Sequence, residues 1–288
     1  CGARVIDAGV EAPGSHEAGR LFAEACLGGL GRVLIGTCSL GPAVLPEAQV
    51  TVDSPLVGCM ASQYAGWQIK AGSFSAMGSG PARALAAVEP LFERYGMRAR
   101  DSRSVLLMET AALPPSEAAE TIARKCSLKP AALTLIVAAT GSLAGSTQIA
   151  ARSVETALHK LMEIGFDLDA IVAGAGVCPI APGTPDSLVA IGRTNDAMLY
   201  GGAVTLWVRA ADEAIESIIE KVPSAASSEH GRLFHELMSE HGDFYSIDPM
   251  LFSPARVTLV NAATGRTFCA GEPDEALLLR SFGISARP

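Results

Sequence analysis

Arg152 and Glu155 stand three residues apart in a stretch of helical periodicity, so a guanidinium and a carboxylate share one face. A carboxylate in that setting can take a proton from water, and the neighbouring cation keeps it ionised and aimed. The alternative is a solvated helix face with an ion pair worth only about 0.3 to 0.5 kcal/mol. Chemistry is favoured by what precedes the pair. The segment Thr140-Gly141-Ser142-Leu143-Ala144-Gly145-Ser146-Thr147-Gln148 follows an apolar run over 133–139 and opens a helical pattern over 148–164. A glycine and hydroxyl loop feeding a helix N-terminus presents unpaired N–H groups that can hold an anionic or polar ligand. Its purely structural role would be a strand-to-helix turn capped by Ser146 or Thr147. Thr140, Gly141, Ser142, Gly145 and Ser146 are therefore candidate ligand contacts.

Three further clusters join them. Gly78-Ser79-Gly80-Pro81-Ala82-Arg83 is a small-residue turn with Pro at a helix start, where Arg83 could add a guanidinium to the free N–H groups of Ser79 and Gly80; simple helix initiation is the plainer reading. Just upstream, Ser62, Gln63, Tyr64 and Trp67 combine hydroxyl, amide, phenol and indole groups, suited to an aromatic heterocycle that needs a stacking face and edge hydrogen bonds. They could equally be core aromatics. The segment 192–202 gathers Arg193, Asn195, Asp196 and Tyr200 between glycines, as a lining wall would, and Arg193 and Asp196 repeat the spacing of Arg152 and Glu155. Two pairs thus compete for the catalytic role.

These groups need a scaffold, and the periodicities supply one. Short β-rich runs at 3–8, 32–38, 49–57, 104–109, 133–139, 170–173, 203–208 and 256–261 alternate with helical patterns at 16–27, 81–95, 116–125, 148–164, 212–221 and 229–241. This predicts a mixed α/β protein with α+β-type sheets. The alternation is too irregular for an eightfold barrel, and runs 32–38 and 49–57, separated by a short Gly/Pro loop, predict antiparallel pairing. A chain of 288 residues suits two domains enclosing a substrate pocket. The charged stretch 95–103 sets a boundary, with residues 1–98 as the first domain and 99–245 as the second, carrying the Gly/Ser loop and the catalytic helix. Residues 246–288 are expected to return to the first domain. Their strand-helix pattern echoes that of the start, which allows an internal duplication.

Composition excludes several classes. A net charge of −8 without a Lys/Arg cluster argues against nucleic acid and against an anionic membrane surface. No segment approaches the ~20 apolar residues of a membrane span, so a soluble protein is expected. There is no Gly-Lys-Ser/Thr ending and no G-x-G-x-x-G fingerprint. His235 and His241 do not form H-E-x-x-H, and the seven scattered cysteines form no C-x-x-C pair; no metal is expected, and the thiols read as reduced in a cytoplasmic protein. The start at Cys1, with neither Met nor a signal segment, implies processing or trimming.

Four stretches, 61–67, 77–83, 139–155 and 192–202, closely resemble the methenyltetrahydromethanopterin cyclohydrolase family, and the resemblance covers nearly the whole chain. Family members carry an extra helical segment ahead of the first strand, where this chain departs from them. The resemblance implies a homotrimeric enzyme of one-carbon metabolism that uses a small-molecule pterin as substrate and no cofactor. It interconverts 5,10-methenyltetrahydromethanopterin plus water and the 5-formyl derivative. It also implies that an Arg-x-x-Glu pair is catalytic, matching Arg152 and Glu155, with Arg193 and Asp196 as the rival match. Another pterin- or folate-type one-carbon enzyme, and a non-catalytic pterin-binding protein, are the remaining alternatives.

Overall fold

The computed structural model describes residues 1–242 and 244–285. Their strands are β1 (Arg4–Gly9), β2 (Gly31–Leu40), β3 (Ala43–Val52), β4 (Trp67–Ala71), β5 (Phe74–Ser79), β6 (Ser104–Glu109), β7 (Leu133–Ala138), β8 (Ile171–Pro179), β9 (Ala203–Val208), β10 (Arg256–Asn261) and β11 (Thr267–Gly271). The helices are α1 (His16–Cys26), α2 (Pro81–Ala86), α3 (Pro90–Arg94), α4 (Ser116–Lys125), α5 (Leu143–Ala150), α6 (Ser153–Glu163), α7 (Ser187–Gly201), α8 (Asp212–Glu216), α9 (Phe234–His241) and α10 (Glu275–Phe282).

Two mixed sheets result, as the sequence predicts. The first runs β1-β7-β6-β5-β4 and the second β11-β10-β9-β8-β3-β2. In the first, β1, β7 and β6 are parallel while β5 and β4 turn antiparallel. Strands β6 and β7 are apolar on both faces because both are covered. Leu106, Met108, Leu135 and Val137 pack with Ile122 of α4 on one side, while Leu107 and Ala138 meet Phe22 of α1 and Ala144 of α5 on the other. In the second sheet β2 and β3 pair antiparallel as expected. One face carries the largest core, including Val50, Leu206 and Leu259 with Val154 and Leu158 of α6. Its other face exposes Leu34, Val177 and Trp207. No described helix is long and apolar enough to cross a membrane.

The structure redraws several expected boundaries. Residues 95–103 run from α3 into β6, the last part of the connection between β5 and β6, and those strands hydrogen-bond to each other, so the supposed hinge lies within one sheet's connections. Strands β2 and β3, from the first ninety-eight residues, belong to the sheet built mainly by later strands. The tail contributes β10 and β11 to that second sheet, and Glu275 of α10 accepts the Gly41 N–H beside β2. Residues 243 and 286–288, which fall within the expected domain spans, lie outside the described residues. The pattern over 81–95 breaks into α2 and α3 because Ala87 is left-handed at φ 45° and Pro90 starts a new turn. Residues 192–201, read as part of a lining wall, belong to α7, and Gly202 is its C-cap.

The helix predicted over 148–164 begins earlier and then divides. Ser142 caps α5 by accepting the Gly145 N–H at 3.0 Å, and its own hydroxyl donates to Ala139 O at 2.7 Å. Gly145 and Ser146 therefore lie within helix rather than loop. A Cβ at Gly145 would fall 1.9 Å from the Ala139 carbonyl oxygen, so only glycine lets α5 seat this closely on the end of β7. Gly145→Ala is expected to cost about 1–3 kcal/mol by overpacking. A lowered urea midpoint checks this, and an unchanged one would show that the loop moves aside freely.

Candidate active site

The break between α5 and α6 falls at Ala151 and Arg152, where Arg152 caps α6 with φ −93° and ψ 8°. That turn carries the Arg152 side chain beneath the π-helix Leu56–Gln63 and against β5. Its Nη1 donates to Gln63 O at 2.6 Å, its Nη2 to Ser79 Oγ at 3.2 Å and its Nε to Gln148 Oε1 at 3.0 Å. One turn of helix places Glu155 beside it, with Oε2 3.9 Å from Nη1. The two side chains are 10% and 9% exposed, which removes the solvated-face reading. Burial pushes the Glu155 carboxyl up to about 7, against the pull of Arg152 and then of Arg83. No described residue donates a hydrogen bond to it.

Both side chains line a cavity of about 720 Å³. Its polar wall comes from the first sheet and its connections, with Gln68, Ser75, Glu109 and Thr140; the opposite wall is apolar, with Ile191 and Met198 of α7, Met238 of α9, and Ile247 and Phe252. Tyr64 and His159 stack at the edge with ring centroids 5.3 Å apart. The cavity therefore offers an apolar slot for a flat ring, a partly protonated carboxyl near neutral pH, and a guanidinium whose place is fixed by three acceptors. Such a constellation can deprotonate a water next to an electrophilic carbon.

A protein-family model described as Cyclohydrolase (MCH) matches residues 1–282. The chain is 49% identical over 283 residues to the methenyltetrahydromethanopterin cyclohydrolase of Xanthobacter autotrophicus, covering 98% of this chain and 84% of that one. The protein of the same name from Methylobacillus flagellatus is 44% identical over 286 residues, covering 99% and 88%. That of Methanospirillum hungatei JF-1 is 42% identical over 285 residues, covering 98% and 90%. The chain belongs to the methenyltetrahydromethanopterin cyclohydrolase family.

Within this cyclohydrolase-family chain, Tyr64, Thr140, Arg152, Glu155 and Asn195 of the sequence candidates reach the cavity. The others are held elsewhere. Asp196 is fully buried, and its carboxylate accepts the Phe234 N–H at 2.9 Å and the Ser281 hydroxyl at 2.6 Å; burial first of all pushes it up to about 6. Arg193 donates to Ser281 O at 3.1 Å. The rival pair thus fastens α7 to α9 and α10, because its side chains point to the side of α7 away from Asn195. Tyr200, on the same helix, donates to Arg232 O at 2.5 Å.

Arg83, expected as a ligand donor, is fully buried, and all three of its guanidinium nitrogens are directed at protein acceptors. It bonds both Glu89 oxygens and the carbonyls of Met60 and Ala61, between the rings of Tyr64 and Phe92. Ser62 donates to Cys26 O at 2.6 Å, and the Gln63 amide donates to Ala151 O at 3.1 Å. Trp67 sits in the core of the first sheet. The Gly80 N–H is taken by Ser62 O at 2.7 Å. Gly141 packs so closely on Thr184 that a Cβ would fall 2.0 Å from its carbonyl oxygen. Ser79 reaches the site through Arg152, and Ser142 through its cap. Glu109 and His159 join the candidates only through the structure: Glu109 ends an apolar strand with no local motif, and His159 lies one helical turn beyond Glu155 without a motif of its own. Among the described residues no cluster of three metal-ligating side chains occurs.

Proposed function

We propose that this chain catalyses the interconversion of 5,10-methenyltetrahydromethanopterin plus water and 5-formyltetrahydromethanopterin, with Glu155 as general base and Arg152 as its orienting partner. The observation that carries the assignment of roles is the burial of this one Arg-x-x-Glu pair at the wall of a cavity that can hold a pterin ring, while the rival pair is spent on packing. The methenyl carbon is already cationic and needs chiefly a positioned water. Glu155 takes one water proton as the oxygen bonds to that carbon. Collapse of the adduct breaks the carbon bond to N10, whose electron pair takes up a proton, and the remaining hydroxyl proton leaves to solvent as the formyl carbonyl forms. A cation and water thus yield a neutral formyl compound and one proton.

Loss of methenyl absorbance on adding the purified chain tests the reaction, with methenyltetrahydrofolate run in parallel. No loss with either pterin would point to a carrier, and turnover only with the folate to another one-carbon enzyme. We further propose that no metal or cofactor takes part, since the substrate supplies its own positive charge. Activity should survive dialysis against a strong chelator, and loss restored by zinc would overturn this. The family resemblance implies a homotrimer, for which the open face of the second sheet, with Leu34, Val177 and Trp207, offers an apolar contact surface; light scattering at assay concentration tests it against a monomer. Seven free cysteines suit a cytoplasmic enzyme.

A further inference from the structure

The cavity wall carries a carboxylate that the proposed reaction does not use. Glu109, the last residue of β6, accepts the Thr140 hydroxyl at 2.6 Å on one oxygen and the Gln148 Nε2–H at 3.1 Å on the other. Both carboxylate oxygens are acceptors here, so Glu109 faces the N–H end of the Gln148 amide. The amide oxygen is thereby turned to Arg152 Nε, 3.0 Å away. Gln63 O and Ser79 Oγ hold the other two nitrogens. Every nitrogen of the guanidinium is thus directed at a neutral acceptor. The contrast within this protein is Arg20 with Glu17, also three residues apart on a helix, which close to a two-pronged contact of 2.6 and 2.8 Å. Arg152 and Glu155 remain at 3.9 Å.

We propose that Glu109, acting through Gln148, is a positioning residue that withholds the Arg152 guanidinium from Glu155, leaving the carboxylate free to accept a proton from water. This rests on Glu155 being the base. A carboxylate closed into a fork with arginine is a weaker base, because the paired cation favours its charged form. The charged and titratable groups around Glu155 are Arg152 and His159 on its own helix, Arg83 from α2, Tyr64 and Cys59 from the π-helix and its end, and Cys26 from α1. Burial raises the phenol and both thiols, so they stay neutral at pH 7, and Arg83 is held by Glu89. Arg152 is the cation in this set that a cavity-wall substitution can release.

The test is the pH profile of kcat/KM for Glu109→Gln and, as a second variant acting at the next link, Gln148→Met. Release of Arg152 should move the acid limb of both profiles down by about one pH unit and lower the plateau kcat about tenfold, as expected for a weaker base. A purely structural role would lower kcat with the limb unmoved, and that result in a folded variant overturns the proposal. Glu155→Gln is measured alongside. If it retains wild-type kcat, the base assignment itself fails; if it is inactive while the limb stays put in the relay variants, only the relay fails.

Discussion

Glu155→Gln should bind methenyltetrahydromethanopterin with near wild-type affinity and hydrolyse it roughly 10²- to 10⁴-fold more slowly, the usual cost of losing a general base. The amide keeps the shape of the carboxyl at the cavity wall but cannot take a proton from water. The same variant should be more stable than wild type above neutrality. Burial raises the Glu155 carboxyl from an ordinary 4.5 to about 7, so the folded state favours its neutral form. The stability this group contributes is fully present below about 4.5 and is lost as pH rises through about 7. At pH 8 the buried charge then costs up to about 3 kcal/mol, at about 1.4 kcal/mol per pKa unit. Thermal melts of the two proteins should therefore diverge between pH 5 and 8, the glutamine protein having the higher Tm at the alkaline end. Parallel melts and near-normal kcat would together show that Glu155 is an ordinary buried acid.

Arg83→Ala should unfold much of the protein rather than weaken substrate binding. The side chain is fully buried, bonded twice to backbone carbonyls and to both oxygens of Glu89, and its removal leaves a largely buried carboxylate without its cation. Breaking such a pair from one side costs about 3–5 kcal/mol. The combined Arg83→Met and Glu89→Leu protein should recover part of that loss, because no charge is left unpaired. Denaturant midpoints of the single and double variants check this. A tenfold rise in KM for Arg83→Ala at an unchanged midpoint would return Arg83 to the ligand-binding role that the sequence suggested.

The difference between Arg83 and Arg152 shows where sequence reading reaches and where it stops. Ser104–Glu109, covered on both faces, is legible because its apolar run is continuous, and Ala203–Val208 because its β-branched and aromatic residues form a compact run; both are placed at their observed bounds. The helical spacing of Arg152 and Glu155 is likewise local and survives. Periodicity does not register the turn at Ala151 and Arg152, because the apolar stripe of Ala150, Val154 and Leu158 continues through it. Strands β4 and β5 escape notice since their alternation is short and interrupted by small residues. The fates of Arg83, Arg193 and Asp196 depend on Glu89, Ser281 and Phe234, the latter two far away in the chain and supplied only by folding. For the same reason Glu109 looks like the mere end of a strand until β6 and β7 deliver it beside Thr140 and Gln148.

In the proposed reaction the water attacking the methenyl carbon is handled by residue 155. A crystal structure of the Glu155→Gln protein with methenyltetrahydromethanopterin bound tests it most directly, because the slow variant preserves the substrate. The bridging carbon should lie in the cavity with one ordered water next to it, and that water should be within about 2.6–3.2 Å of the residue 155 amide. A bridging carbon turned away from residue 155, with its water held instead by Glu109 or by Glu163 of the same cavity wall, would rule out Glu155 as the base.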